Sequence, residues 1–570
     1  MSSDLVVLDQ SIEEKPVSST MTDKKWLNVL DQNNGSYTSG QSTLETTSLS
    51  TADRYMNYRE AYLAVPVLLT VGNNTDVSDA GMDNVTDKAK LVGLKNSYTS
   101  LIHSMSVDLN GTNIIQSTPF SEFYNAFQLM TCLSWDDVKT QGSTIGFYPD
   151  DAFSATSFTA DNPSGSASAT VNNQDLCTPG SETIAVLGRI GNKGFSERLK
   201  YINYSASGKV NGSANEVAQS VFLTETNATT SLYKNAVLTN FSTTNKSPII
   251  AVQVMAVIKL RHLHNFFSNI PLSKGLQFRF IINFNQSTST ITNDATNITA
   301  EAVVKSQFGG VNPLMIASAK ANNGGVGTLA NAGTIRADLS IGKESNDSYL
   351  KTVSNKQTSN LPQSVSLYVP SYTMSPAMEK LYLSKGAKKI SYSDIYQFRI
   401  PKIAKNTNFN QLVTSGIRGV RSVVVMPMFP SASNGDVAEF QSVQSDCGGG
   451  STALLAQLTN FQVQVGGVNQ IQTNGRYEFE IFNNYVYGAN AVNGGLTDGL
   501  NSGLIGQADW GRKYLYYYID CNRGSDLERD TPKSIQVQGE NKSEKQVDYY
   551  VFVEFENNIT ISPDTGAIQA

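Results

Sequence analysis

The chain has 570 residues, and its 43 lysines and arginines against 49 aspartates and glutamates leave a formal charge of -6. That is too long for one hydrophobic core, so a β protein of this length divides into about two domains of roughly 200–250 residues each. The mild acidity favours solubility and leaves no basic stripe, which excludes nucleic acid as the partner of a dense surface patch.

Residues 1–24 are polar and aperiodic and read as a flexible arm that orders only against a neighbour. No basic region precedes an apolar run there, so no secretory signal is expected and the protein is placed inside the cell that makes it. Cys132, Cys177, Cys447 and Cys521 lie far apart without CxxC spacing, which reads as reduced thiols rather than a zinc site or a disulfide framework. "SPIIAVQVMAVIKL" (Ser247–Leu260) is the most apolar window, but it is too short to span a membrane and ends in charge, so no transmembrane segment is expected. Sequons at Asn203, Asn211, Asn227 and Asn297 are what a chain rich in Asn and Thr makes by chance, and glycosylation is not expected.

"AYLAVPVLLTV" (Ala61–Val71) is a strand, with Pro66 suggesting an edge or a bulge. "SVDLNGTNIIQSTPFSEF" (Ser106–Phe123) returns as "QVQVGGVNQIQTNGRYEF" (Gln462–Phe479) at a constant shift of 356 positions, and the same shift lays Val67–Leu69 on Val423–Val425. In each copy alternating apolar residues make a half-buried strand, and Asn110-Gly111 or Gly466-Gly467 supplies a tight hairpin. The chain therefore holds two related β domains. After the first hairpin Pro119 suits a helix opening, and Phe120, Phe123, Tyr124, Phe127 and Met130 fall on one helical face. In the second copy Tyr477, Phe479 and Ile481 alternate like a strand, while Phe479 and Phe482 fit a helix.

"FIINFNQ" (Phe280–Gln286) resembles "VFVEFEN" (Val551–Asn557) at a shift of 271, which implies about 85 extra residues in the first half. Polar stretches at Asp150–Asp175 and Asn203–Lys246 take up that surplus as long surface loops. Gly/Asn-rich Ala321–Thr334 reads as a linker, which sets a boundary near residue 340. "SVSLYVPSYTMSP" (Ser364–Pro376) then opens the second half, followed by a short helix. The expected organisation is an arm over 1–24, a first domain over 25–340 with exterior loops over about 150–245, and a second domain over 341–570.

No catalytic, cofactor-binding or metal-ligating residue emerges. His262 and His264 in "LRHLHNFF" lack a carboxylate or cysteine at ligand spacing, and with His103 they read as capping or interface residues. "GRIGNKGFS" (Gly188–Ser196) lacks the Gly-Lys-Ser/Thr ending of a phosphate loop and reads as a glycine-rich β-turn. Asp136 and Asp137 beside Trp135, if on a strand, face opposite ways and cannot flank one glycosidic bond. No Gly-x-Ser-x-Gly elbow is present. The aromatic runs "KYLYYYID" (Lys513–Asp520) and "VDYYVFVEF" (Val547–Phe555) suit a core or a subunit interface better than a stacking platform.

"STADRYMNYREAYLAVPVLL" (Ser50–Leu69), "GLKNSYTSLIHSMSVDLNGTNIIQSTPFSEFYNAFQLMTCLSWDD" (Gly93–Asp137), "GSTIGFYPD" (Gly142–Asp150), "IKLRHLHNFFSNIPLSKGLQFRFIINFNQ" (Ile258–Gln286) and "SLYVPSYTMSPAMEKLYLS" (Ser366–Ser384) together resemble the major capsid proteins of polinton-like viruses, relatives of virophages. The resemblance implies an all-β double jelly roll, two tandem eight-stranded sandwiches with short helices in the loops. It also implies a structural, non-enzymatic role without cofactors, as a homotrimeric pseudo-hexagonal capsomer in an icosahedral virion capsid. Its partners would be neighbouring capsomers, penton proteins and minor capsid proteins, with no sequence-specific nucleic acid. Within that reading the aromatic strands of the second half and "LRHLHNFFSNIPL", Phe266 and Phe267 above all, are the expected trimer contacts. The competing reading is a carbohydrate-binding or receptor-binding β-sandwich adhesin.

Overall fold

The computed structural model describes residues 21–73, 92–150, 193–199, 249–293, 298–316, 333–343, 363–384, 386–430, 440–443, 447–453, 455–471, 477–490, 503–521 and 531–569, with short strands at 220–222 and 237–238. The first part of the chain supplies β1 (Met21–Leu30), β2 (Gln41–Glu45), β3 (Tyr62–Asn73), β4 (Ile102–Leu109), β5 (Thr112–Ile115), β6 (Ile249–Lys259), β7 (Phe278–Phe284), β8 (Ser287–Asn293), β9 (Ile298–Val304), β10 (Gly333–Ile341) and β11 (Ser366–Met374). The second supplies β12 (Lys388–Ile403), β13 (Thr407–Ile417), β14 (Val420–Met428), β15 (Leu458–Val465), β16 (Val468–Asn469), β17 (Tyr517–Asp520), β18 (Lys533–Asn541) and β19 (Val547–Ile561).

The second part is a sandwich of these eight strands, with a short further strand, Ile568–Gln569, paired to the end of β19. One sheet runs β12-β19-β14-β17 and the other β13-β18-β15-β16. Counted from the first strand, that is the order 1-8-3-6 over 2-7-4-5, the double Greek key of a jelly roll. The first part repeats it: β1 pairs β11, β11 pairs β3 and β3 pairs β6, over a sheet ordered β2-β7-β4-β5. The chain is thus a double jelly roll. The inner face of the first sandwich follows from strand alternation: Leu63, Val65, Val67 and Leu69 of β3 meet Phe278, Phe280 and Ile282 of β7 in one buried cluster. Each such side chain contributes about 1.5–3 kcal/mol by leaving water.

The echo in the sequence marks topologically equivalent pieces. β3 and β14 are both third strands, β4 and β15 fourth strands, and β5 and β16 fifth strands. Both hairpins are two-residue turns with positive φ at each position, 48° and 85° at Asn110-Gly111 and 61° and 81° at Gly466-Gly467. Each is followed by a 12-residue helix, α1 (Ser121–Cys132) and, after an intervening helix α2 (Trp135–Ile145), α3 (Phe479–Asn490) in the second copy. The ambiguous segment of the second copy is therefore helical.

Two readings of chain order are corrected. "SVSLYVPSYTMSP" does not open the second sandwich: β11 pairs with β1 from Met21↔Met374 to Leu30↔Ser366 and completes the first. "FIINFNQ" and "VFVEFEN" are not equivalents, because β7 is a seventh strand lying between β2 and β4 while β19 is an eighth strand between β12 and β14. Short alternating aromatic strands resemble one another whichever sheet they enter. Residues 285–365 separate β7 from β11 in the first sandwich, against 542–546 between β18 and β19, so the first copy also grew at this point. Met21–Lys24, read as the end of the arm, begin β1, and residues 1–20 lie outside the described residues.

The growth splits a sheet position. β11 pairs with β3 only over Tyr62–Ala64, and beyond that β10 takes over along Val67–Asn73 and carries β8 and then β9 outward. Pro66 falls in the gap between the two partners, where its missing N–H costs no ladder bond, and its carbonyl accepts from Gly342 N at 2.8 Å. It marks a fork rather than an edge.

Candidate assembly surfaces

The two sandwiches are joined through α1. Its aromatic residues share one face, and Glu122, Asn125, Ala126 and Thr131 on the other sides are covered too, so that the helix is buried on nearly every side. Phe123 lies 5.3 Å from Tyr550 and 5.6 Å from Phe440, Tyr124 lies 5.9 Å from Phe552, and Phe127 lies 4.9 Å from Tyr516 and 5.6 Å from Tyr518, measured between ring centroids. A helix of the first sandwich therefore belongs to the core of the second. This is where the aromatic runs go. Tyr514–Tyr518 and Tyr549–Phe552 are buried inside the chain and present no free platform.

A second seam runs along β12. Tyr392 donates its hydroxyl to Ile114 O at 2.9 Å, Thr118 Oγ1 donates to Ile395 O at 3.0 Å, and Asn269 Nδ2 donates to Ser391 O at 2.8 Å. His264 Nε2 stands 3.4 Å from Asp394 Oδ1, while its Nδ1 accepts from Phe266 N at 3.2 Å. His264 thus closes the helical turn Leu260–Leu263 with its backbone N–H, bonds the first N–H of the next turn, Phe266–Asn269, with its ring, and lines the seam. Deeper in, Lys95 Nζ donates to the carbonyls of Phe440 and Cys447 at 2.5 and 3.1 Å, so that a buried ammonium is held by backbone oxygens of the other sandwich. Asn312 donates two hydrogen bonds of 2.9 Å to Gln441, from its N–H to Oε1 and from Nδ2 to the carbonyl oxygen.

The expectation that Phe266 and Phe267 contact a neighbouring subunit is overturned. Both are wholly buried within one chain, Phe266 against Tyr392 at 5.1 Å and Phe267 against Phe280 at 5.9 Å. The apolar pair in sequence gave no sign that its partner lay more than a hundred residues away.

The remaining candidates fall apart in space. His103 Nδ1 is 3.4 Å from Glu122 Oε1 in a buried pair across β4 and α1. His262 is half-buried, and that partial burial, with the Arg261 and Lys259 charges nearby, pushes its imidazole down to about 4. Among the described residues no group of three His, Cys, Asp or Glu side chains could hold a metal ion. Asp136 and Asp137 stand on a helix rather than a strand. Asp137 closes a capping box with Ser134, whose backbone N–H and hydroxyl both donate to the carboxylate and hold it below its usual range. Of "GRIGNKGFS", residues 188–192 lie outside the described residues, and Lys193–Ser196 enter a helix, Lys193–Leu199, instead of a β-turn. Arg198 of that helix pairs with Asp150 at 2.7 Å in a buried site. The proposed exterior loops over 150–245 lie outside the described residues except for Asp150, this helix and the strands at 220–222 and 237–238, which pair with β6. Cys132, Cys447 and Cys521 form no disulfide with one another, and Cys177 lies outside the described residues.

One surface escaped the sequence reading. β1 is the edge strand of its sheet and only Val29 in it is buried. Trp26 is 46% exposed and Leu30 62% exposed. Trp26 packs 5.5 Å from Tyr62, which stacks on Tyr368 at 5.1 Å, with Lys24 over the Trp26 ring and Lys259 over the Tyr62 ring. "KKWLNVL" (Lys24–Leu30) follows the expected arm and its Trp, Leu and Val are strand formers, but nothing in that local pattern marks it as an exposed edge. No described helix is long and apolar enough to cross a membrane.

No family model matches the chain, and no curated protein matches it. Among solved structures it is similar to the major capsid protein of mavirus, with a TM-score of 0.39 and 11% identity over 95% of this chain and 89% of that one. It is also similar to the Faustovirus major capsid protein, with a TM-score of 0.42 and 9% identity over 97% and 94%. The PBCV-1 virus capsid aligns with a TM-score of 0.34 and 8% identity over 98% and 99%.

Proposed function

We propose that this chain is a major capsid protein of the double jelly-roll type, similar to those of polinton-like viruses and virophages, that builds the shell of a virion. The observation carrying this reading is the pair of sandwiches with one strand order, welded through α1 into a single body. Two similar wedges per chain let three chains around a three-fold axis present six near-equivalent sides and tile a hexagonal lattice. In this reading the chain forms homotrimers, the trimers contact neighbouring capsomers, penton and minor proteins, and the shell is icosahedral. A permanent trimer buries roughly 2,000–5,000 Å² or more per contact. The role is mechanical, and no residue is assigned to catalysis, metal or cofactor. The fork beyond Pro66 and the loops over 150–245 suit the outer face, where growth leaves the sandwich undisturbed. The boundary between the two wedges is placed after β11, within residues 375–387.

Native mass and electron micrographs of the purified chain test the reading. A stable trimer or hexagonally packed particles are expected. A monomer that binds glycans would instead favour the adhesin.

A further inference from the structure

A small cavity lies on the seam between the sandwiches. β4, β5 and the turn after it, the start of α1, the helical turn Leu260–Leu263 and β12 all contribute to its walls, and Asn125, His264 and Asp394 among them are almost wholly buried. It leaves the centre of a water molecule about 20 Å³ in which to move. One water needs about 10–15 Å³ on that measure, so the cavity has room for one molecule of that size.

The polar walls select the occupant. Asn125 is 1% exposed, and its Oδ1 has no hydrogen-bond partner among the described residues. A buried amide oxygen without a donor is costly, and the protein supplies none. The hydroxyls of Ser121 and Thr118 are already committed as donors, each at 3.0 Å, to His103 O and Ile395 O, which leaves them only lone pairs. Asp394 Oδ1 accepts from Ile395 N at 2.8 Å and stands 3.4 Å from His264 Nε2, at the outer limit of a direct hydrogen bond. His264 Nδ1 accepts from Phe266 N, so in the neutral ring the proton is on Nε2. The walls thus offer mainly acceptors, with Nε2–H as a donor beside them. An anion would face the Asp394 carboxylate. A metal ion would find that single carboxylate, and no group of three ligating side chains exists among the described residues. A water molecule both donates and accepts.

We propose that one ordered water molecule occupies this cavity as a fixed part of the seam, donating to Asn125 Oδ1 and to the Asp394 carboxylate and accepting from His264 Nε2. It joins three pieces that lie far apart in the chain: α1, the turn after β6 and the first strand of the second sandwich. All three belong to one chain, so the site does not depend on how copies assemble.

The test is a structure of the full chain at a resolution that shows ordered water, beside oxygen-17 relaxation dispersion, which counts long-lived internal waters in solution. Density for one atom within about 3.2 Å of both the Asn125 amide and the Asp394 carboxylate is expected, and dialysis against a chelator should leave it unchanged. In Asn125→Leu the bulkier apolar side chain takes up the cavity, so that density is expected to vanish and the count of long-lived waters to fall by one, with circular dichroism unchanged. Asn125→Ser keeps a polar group and more room, and is expected to retain the water; it is the variant to read if the Leu variant does not fold. A wild-type structure in which the cavity has closed and the Asn125 amide bonds directly to protein overturns the proposal. So does a site without density, a chelator-labile ion in it, or a folded Leu variant that loses no long-lived water.

Discussion

His264 and Asp394 approach to 3.4 Å across the seam between the sandwiches, one following a helical turn of the first and the other on the first strand of the second, and both are almost wholly buried. The pair is one of a line of polar contacts along β12 that includes Tyr392 and Thr118. Replacing Asp394 by Leu leaves the imidazole Nε2 without this partner in a dry place and is expected to cost about 1–3 kcal/mol. Denaturant unfolding with both far-ultraviolet and tyrosine signals checks it. A loss below a few tenths of a kcal/mol would show that this pair does not help to hold the seam.

Phe266 gives the opposite kind of result to an exposed contact. Because it fills a site between Phe278 and Tyr392, Phe266→Ala is expected to destabilise the chain by about 3–5 kcal/mol. A charged replacement should prevent folding and not merely dissociate an oligomer. Thermal unfolding of the Ala variant decides: an unchanged midpoint would contradict the burial.

The two hairpins make a matched experiment. Gly111 and Gly467 both have positive φ, 85° and 81°, and a Cβ added at either meets nothing within 4 Å. Space is therefore no obstacle, and Gly111→Ala and Gly467→Ala should each cost about 1–2 kcal/mol from backbone strain alone. Similar losses in chemical denaturation support equivalence of the two turns, and a large difference refutes it.

His262 makes stability depend on pH in one direction. Its folded-state value of about 4 lies below the ordinary 6.5, so between those values the unfolded chain holds a proton that the folded chain refuses. Stability from this group is full above 6.5 and falls as the pH drops towards 4, by up to about 3 kcal/mol. His262→Gln should remove that part of the slope. Melting temperatures of both proteins across this range check it, and parallel curves would count against it.

Much of this architecture could be read from the chain, for local reasons. The fourth and fifth strands of each sandwich announce themselves because alternation plus a Gly turn is a short-range code, and α1 shows its period within a dozen residues. The eighth strand was misplaced because pairing carries no local signature: Ala321–Thr334 looks like a domain boundary, yet the chain returns from it to lie beside β1. α3 stayed ambiguous because Tyr477 fits either period and its burial comes from Tyr517 and Trp510, which are far along the chain. Trp26 was missed because exposure is a property of the assembled sheet.

α1 also has a meaning in time. A ribosome releases residues 121–132 long before β14, β17 and β19 exist, so these aromatic side chains wait without the walls they are to fill. The second sandwich, for its part, cannot close its interior except around a helix already delivered. Order of synthesis and order of completion are thereby coupled, and the two wedges leave the ribosome as parts of one maturing body, with the late half acting as the lock on the early one.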